Sequence, residues 1–458
     1  MKYFGTDGFR GKAGVSLTAE HAYKIGRFIG WYFSKQRSDN ARVVIGKDTR
    51  RSSYMLEYAI VAGLTASGAD AYLLHVTTTP SVSYVAQHDD FDCGIMISAS
   101  HNPFYDNGIK LINSDGEKAD DGLLSKIESY LDGNFDCGGD DLPLATEDKI
   151  GKVVDYFSGR NRYIGYLISI STFSCKDIKI GLDCANGSAW MIAKSVFDAL
   201  GAKTYVINAE PDGTNINKDA GSTHIERLAD YVKREHLDIG FAFDGDADRC
   251  IAVDELGQVV NGDQIMYILA CEMKRRSVLP NNMVVTTVMS NMGLYRALDE
   301  AGIDHVSTQV GDRYVYENMR ENGHGIGGEQ SGHIIMSKYS TTGDGILTAI
   351  KLMEAVIETK LPLSKLASRV KMYPQVLKNV RVGDKSKVML NEKVKNKLLE
   401  IRGEIGSSGR ILLRESGTEP VIRVMAEAES EELCDKYVGE LVSVIFDEGL
   451  ALEGRSDK

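Results

Sequence analysis

The chain has 458 residues, 43% of them apolar and 26% charged, with a net charge of -12. That length accommodates several domains, and the composition is that of a globular protein rather than a disordered or fibrous one. The acidic balance excludes a nucleic-acid partner, which needs clustered Lys and Arg, but not a small anion, whose binding local cations decide. The seven cysteines (93, 137, 175, 184, 250, 271 and 434) form no C-x-x-C pair and are odd in number. They fit neither a disulfide framework nor a zinc site and point to a reduced, cytoplasmic setting. The N-terminus shows no apolar signal core and no apolar run is long enough to span a bilayer, so no membrane partner is expected.

In chain order, the first element is the glycine-rich F-G-T-D-G-F-R-G, which contains Arg10. A helix is predicted after Leu17-Thr18, because Ala22, Ile25, Phe28 and Ile29 recur at helical spacing. A β-branched strand follows over 42–46, then the polar Lys47-Asp48-Thr49-Arg50 and a helix from about 53 to 67. A second strand covers 71–76. A third, 94–97, delivers S-A-S-H-N-P (98–103), where Asn102-Pro103 is a turn signal. Ser100 therefore lies on a tight loop at a strand's C-terminal end, where open α/β sheets place their ligands. It is read as the carrier of a phosphoryl group.

The layout recurs twice. Strand 178–182, turn 183–187, helix 191–200 and strand 204–207 precede strand 239–243, which ends in D-G-D-A-D-R. Strand 284–288, turn 291–293, helix 294–301 and a strand opened by Gly302-Ile303 precede 323–326, which leads into G-G-E-Q-S-G-H. Each unit continues into a hairpin: 108–112 to Asp115-Gly116, 250–253 to Leu256-Gly257 and Val260, and His333 to Met336. Such alternation predicts an α/β protein whose mainly parallel sheets each carry an antiparallel edge. Three related α/β domains are expected, over 1–150, 151–255 and 256–370. A smaller C-terminal α+β domain is expected over 371–458. In it Pro374 falls near the boundary and 378–387 reads as a basic loop. Helix 394–401 follows, strands 410–413 and 421–426 flank loop 415–420, and Ser430 caps a final helix. At one equivalent position, the end of the third strand, the units present Ser100, Asp244 and Glu329, which three copies would bring to a shared cleft.

The motifs suggest chemistry. Asp244, Asp246 and Asp248 alternate, so in extended chain their carboxylates share one face and need a cation; hard oxygen ligands suit Mg²⁺. An EF-hand is excluded, because Arg249 stands where its glycine must be. Serine is a weak nucleophile at neutral pH, and His101, a chain neighbour, tends to point away from Ser100 rather than complete a triad. A covalent phosphate on Ser100 beside Mg²⁺ meets that difficulty. Lys110, on the following strand, is the candidate acid/base, with a pKa lowered by neighbouring cations. Glu329 and Ser331 suit a vicinal pair of sugar hydroxyls. R-E-S-G-T-E-P offers Arg414, Ser416, Thr418 and the backbone around Gly417, with Arg423 on the next strand, as a phosphate cradle. A solvated surface charge competes with the functional reading for Lys110 and Arg10, and a structural donor for His333.

S-A-S-H-N-P, D-G-D-A-D-R, G-G-E-Q-S-G-H and the R-x-S-G-T-E-P loop, in that order and across the whole chain, resemble the α-D-phosphohexomutases. The resemblance implies four domains around a central cleft, a phosphoserine at Ser100, and Mg²⁺ held by Asp244, Asp246, Asp248 and that phosphate. It implies exchange of phosphate between positions 6 and 1 of a hexose through a sugar 1,6-bisphosphate. Ser100, Lys110, Arg10 and His101 would be catalytic. Glu329, Ser331, His333, Arg249, Gly311, Arg414, Ser416, Gly417, Thr418 and Arg423 would bind the sugar phosphate. F-G-T-D-G-F-R-G, Q-V-G-D-R-Y-V (309–315) and Gln330 most resemble the family's amino-sugar members, which implies an amino-sugar phosphate, with mannose or glucose phosphates on the same scaffold as the alternative. Turning the bisphosphate over requires the last domain to move on a hinge near 370. A homodimer is one candidate assembly.

Overall fold

The structure, a computed structural model, describes residues 1–136, 138, 141–416 and 420–452. These fold as two compact units: 1–290 with 301–369, and 291–300 with 370–458.

Among the described residues the first unit holds three mixed sheets. The first runs in the order Phe4–Gly5, Gly8–Lys12, Asp106–Asn113, Cys93–Ile97, Arg42–Lys47, Asp70–Val76, Val153–Asp155. Its last four strands are parallel, and Asp106–Asn113 returns antiparallel beside Cys93–Ile97. Strand residues alternate between two cores, as a period of two requires. Val43, Ile45, Ile95 and Ile97 pack with Ile25, Phe28, Leu56 and Ile60 of the helices Ala19–Ser34 and Arg51–Ala66. Val44 and Met96 pack with Val82 and Val85 of the helix Thr79–His88. Thr18 caps the first helix by accepting the His21 N–H.

The second sheet runs Val259–Val260, Cys250–Val253, Ile239–Phe243, Lys179–Asp183, Lys203–Ile207. The third runs Asp304–Thr308, Met283–Thr287, Ile326–Gly328, Ile334–Met336. Each has a parallel portion and an antiparallel return strand, the expected layout. Ser100, Asp244 and Glu329 follow the ends of Cys93–Ile97, Ile239–Phe243 and Ile326–Gly328, the registered positions read from the sequence. The helix expected over 191–200 is broken: a 3-10 turn, Ser188–Met191, precedes a short α-helix, Ala193–Ala199.

In the second unit an antiparallel sheet runs Gln375–Arg381, Val421–Glu427, Arg410–Glu415. Val380, Ile422 and Val424 pack with Ile401 and Leu441 of the helices Glu392–Ile405 and Glu431–Asp447. The basic stretch read as a loop from 378 is therefore strand up to Arg381. Lys378, Asn379 and Arg381 face solvent while Val380 is buried, as on a charged edge strand. Met292–Glu300 belongs to this unit, and Glu427 accepts the Met292 N–H at 2.6 Å and the Arg410 guanidinium at 2.7 Å. Ser430 caps the final helix by accepting the Leu433 N–H. Among the described residues no helix is long and apolar enough to cross a membrane.

Candidate active site

Ser100 is buried and adopts a left-handed backbone, φ 52°. Its Oγ donates to Asp244 Oδ2 at 2.5 Å and lies 3.3 Å from His101 Nδ1. The loop carrying Asp244 comes so close that a Cβ on Gly245 would sit 2.5 Å from the Ser100 carbonyl oxygen. Only glycine fits between the two loops.

Asp244, Asp246 and Asp248 are all buried and each offers a carboxylate oxygen within 4.8 Å of the others. The extended chain expected for them is not what gathers them. They sit on a turn closed by the Ala247 N–H on the Asp244 carbonyl, with Ala247 at φ 55°, and the turn brings the three groups together. Asp246 Oδ1 and Asp248 Oδ1 are buried with no hydrogen-bond donor among the described residues. Buried polar atoms are normally satisfied. Two orphaned carboxylate oxygens beside a third carboxylate are the donor set of a hard divalent cation, so these residues fit Mg²⁺.

Cations surround the trio. Lys110 Nζ lies 2.8 Å from Asp246, 3.3 Å from Asp248 and 3.4 Å from Asp7. Burial works against its charge, but Asp246, Asp7 and Asp248 outweigh burial and Arg10, so its pKa stands well above the ordinary lysine value. The lowered pKa expected from neighbouring cations is not found, because carboxylates dominate its surroundings. Asp244 is raised well above the usual carboxylate range, by burial first and then by Asp248 and Asp246. For Asp246, burial is overcome by Lys110, which brings it down to about 2. His101 is lowered to about 4 by burial, then by Arg249 and Arg10, and is neutral at neutral pH. Arg10 pairs with Asp7 and reaches Asn102 Oδ1 at 3.4 Å. The backbone N–H of Arg249 donates to Asp244 at 3.2 Å, and Asp248, Asp244 and Glu329 together overcome burial to hold its guanidinium charged.

In the third sheet's loop, Glu329 Oε1 accepts the Gly311 N–H at 3.1 Å, and the Ser331 hydroxyl is 3.5 Å from Glu329 Oε2. Gly311 has φ 134°, open only to glycine, which lets the chain turn into the helix Asp312–Asn322. His333 is buried, 3.4 Å from Asp312 and 4.0 Å from Asp248. Both its ring nitrogens lack a hydrogen-bond partner among the described residues.

In the second unit, Arg414 and Arg423 stand directly opposite each other on antiparallel strands. Burial, then Arg423, lowers the Arg414 pKa. Like charges facing across strands destabilise the pair, so these guanidiniums suit an anion between them. The Ser416 carbonyl accepts Lys385 Nζ at 2.6 Å. Gly417 and Thr418 lie outside the described residues.

Family models match the chain along its length. The phosphoglucomutase/phosphomannomutase alpha/beta/alpha domain I covers residues 1–135, domain II 161–257, domain III 261–373, and the C-terminal domain 377–444. The chain belongs to the phosphoglucomutase/phosphomannomutase family. Within that family it is 64% identical over 452 residues to a phosphoglucosamine mutase of Lachnospira eligens, covering 98% of this chain and 100% of the relative. It is 49% identical over 447 residues to the phosphoglucosamine mutase of Bacillus subtilis, covering 98% and 99%. A family protein of Burkholderia thailandensis superposes with a TM-score of 0.79 at 24% identity, covering 97% of each chain. An Aspergillus fumigatus N-acetylphosphoglucosamine mutase, solved in complex with GlcNAc-6P and magnesium, superposes at 0.71 and 16% identity, covering 98% and 96%. The family makes the protein a phosphohexomutase, an isomerase, with the four-domain fold class expected of it.

The site of this phosphohexomutase includes residues that sequence reasoning did not single out. Asp7, inside F-G-T-D-G-F-R-G, contacts Arg10, Lys110 and Lys118, and these cations outweigh burial to hold it well below the usual carboxylate range. Lys118 bridges to Asp312 at 2.6 Å, which is itself near His333. Thr79 donates to Asp246 at 2.5 Å. Among these, the positions of Asp7 inside F-G-T-D-G-F-R-G and of Asp312 inside Q-V-G-D-R-Y-V were the available signals.

Proposed function

We propose that the protein is a phosphoglucosamine mutase, converting glucosamine 6-phosphate to glucosamine 1-phosphate and back, and so supplying amino-sugar nucleotides for cell-wall precursors. Identities of 49–64% to relatives of that name favour the amino sugar over mannose or glucose phosphates. The observation that carries the chemistry is the serine hydroxyl 2.5 Å from one of three buried carboxylates that lack enough donors. Ser100 carries the phosphoryl group. Asp244, Asp246 and Asp248 would hold Mg²⁺, which supplies neutralisation of the charge on the transferred group.

In the first half-reaction the bond from Ser100 Oγ to phosphorus breaks and a bond forms to a sugar hydroxyl oxygen. The hydroxyl's proton ends on Ser100 Oγ by way of Lys110. The second half-reaction runs in reverse with the other phosphate of the 1,6-bisphosphate. Arg10 and Arg249 face the phosphoryl group with positive charge, and neutral His101 orients the serine hydroxyl. Glu329 and Ser331 accept and donate to the sugar hydroxyls, with Gly311 and His333 lining them. Arg414, Ser416, Gly417, Thr418 and Arg423 grip the phosphate that does not react. Parallel assays on glucosamine, glucose and mannose 6-phosphates test the substrate. Ser100→Ala, with intact-mass measurement of the wild type, tests the phosphoserine: full mutase activity in that variant refutes it.

A further inference from the structure

The Lys47-Asp48-Thr49-Arg50 turn takes no part in the chemistry above, yet Arg50 is completely buried. Its guanidinium pairs with Asp48 and donates to the Ser98 hydroxyl at 3.4 Å, the Ser100 carbonyl at 3.1 Å and the Asn102 carbonyl at 2.5 Å. Asn217, from the segment between the second sheet's strands, donates its Nδ2 to the same two carbonyls, at 2.8 Å and 3.1 Å. The turn is tied to two loops of the second domain as well. The Arg51 N–H donates to the Gly213 carbonyl at 2.9 Å, and the Thr49 hydroxyl to the Asn186 carbonyl at 2.6 Å.

The geometry points to Arg50 and Asn217 as positioning residues, a clamp built from two domains that holds the Ser100 loop and aims its hydroxyl at the aspartate trio. Three observations converge on it. Ser100 occupies a left-handed backbone that a non-glycine residue keeps only when its surroundings enforce it. Its N–H is taken by Ser98 Oγ at 2.9 Å, so the carbonyl side of the loop is what remains to be fixed. Both clamp residues bind the two carbonyls that flank His101, one from each domain that supplies the site. Neither touches the Ser100 hydroxyl, so their effect on the reaction runs through placement of the loop.

This inference rests on the phosphoserine reading, and the test separates the two. Asn217 itself sits at φ 58°, so Asn217→Gly removes the two donors without straining the backbone. In a single turnover this variant is expected to pass the phosphoryl group from Ser100 to glucosamine 6-phosphate about tenfold or more slowly, since small misplacements of a reacting group cost that much. KM should move by less than about threefold, because sugar contacts are untouched. Asn217→Asp keeps the shape but turns an acceptor toward the carbonyls, and is expected to be at least as slow. A residue needed only for packing would leave the Asp variant at the wild-type rate. Arg50→Lys, which keeps one donor, should fall between the wild type and Arg50→Met. A wild-type transfer rate in Asn217→Gly overturns the clamp. A wild type whose Ser100 never carries phosphate counts against the phosphoserine reading alone; amide exchange across 99–102 then decides, and the clamp fails unless Asn217→Gly speeds it about tenfold.

Discussion

Asp244→Asn should stabilise the ion-free protein and abolish its stabilisation by Mg²⁺. The three carboxylates lie within 4.8 Å of one another. At an effective dielectric of about 20, two unit charges at that separation repel by about 3.5 kcal/mol. Asp244 enters two such pairs, partly offset by Arg249 and the Ser100 hydroxyl. Asparagine keeps the shape, can accept the Arg249 N–H and can donate to Ser100, so the net gain is on the order of 1–3 kcal/mol in the absence of an ion. The sign follows from linkage. Asp244's folded pKa is raised, so the folded state binds its proton more tightly than the unfolded state. That stability is fully present below the ordinary carboxylate pKa of 3.8 and is lost as pH rises through the folded value. Asparagine behaves as the protonated form at every pH and removes that loss. With Mg²⁺ at about a hundred times its dissociation constant, the wild type should gain about 2.7 kcal/mol, and the variant almost nothing. Thermal unfolding with a chelator and with Mg²⁺, at pH 5 and pH 8, reads both effects. A variant less stable than the wild type in chelator, or one that keeps its Mg²⁺ shift, refutes the reasoning.

Lys110→Met removes the cation from the same trio and should destabilise the ion-free protein by about 3–5 kcal/mol, since it strands buried carboxylates; kcat should fall by about 100-fold or more. Chelator unfolding and steady-state assays check the pair of effects. Gly245→Ala places a methyl 2.5 Å from the Ser100 carbonyl, so phosphoryl transfer from Ser100 should fall by about 100-fold while the chain stays folded by circular dichroism. Arg414→Met should raise KM for the sugar phosphate about tenfold or more with little change in unfolding temperature, because it relieves the repulsion from Arg423 as it removes a proposed phosphate ligand. Asp344, which caps the helix Gly345–Thr359 and accepts the Tyr163 hydroxyl at 2.7 Å, is raised to about 6 by burial. Its contribution is therefore lost as pH rises from 3.8 to about 6, and Asp344→Asn should flatten the stability curve across that window, worth about 3 kcal/mol.

The sheet order around the site was legible because each buried strand is a continuous apolar run that stops at a polar motif. Cys93–Ile97 before S-A-S-H-N-P and Ile239–Phe243 before D-G-D-A-D-R are such runs. The end of the edge strand, 378–381, was read as loop because its charges mask a single inward Val380. Convergence of the three aspartates was inferred from alternation but is produced by a turn, since alternation in sequence says nothing about backbone direction after a strand ends. Asp7 and Asp312 lie inside motifs the sequence singled out, but nothing there marks the aspartate itself, and Lys118 is one charge among many. Their partners lie 111 and 194 residues away, and only the folded chain reveals them. The pKa of Lys110 was misjudged because the sequence does not show how closely Asp7, Asp246 and Asp248 approach its Nζ.

A serine loop fastened from both sides has no travel of its own. If Ser100 Oγ hands over the phosphate as proposed, that atom stays at one address, beside the carboxylates proposed to hold Mg²⁺, whichever end of the hexose is presented. The sugar must do the moving, offering oxygen 1 and oxygen 6 in succession to the same stationary donor. A bisphosphate analogue too rigid to reorient should accept one phosphate exchange and then block the enzyme.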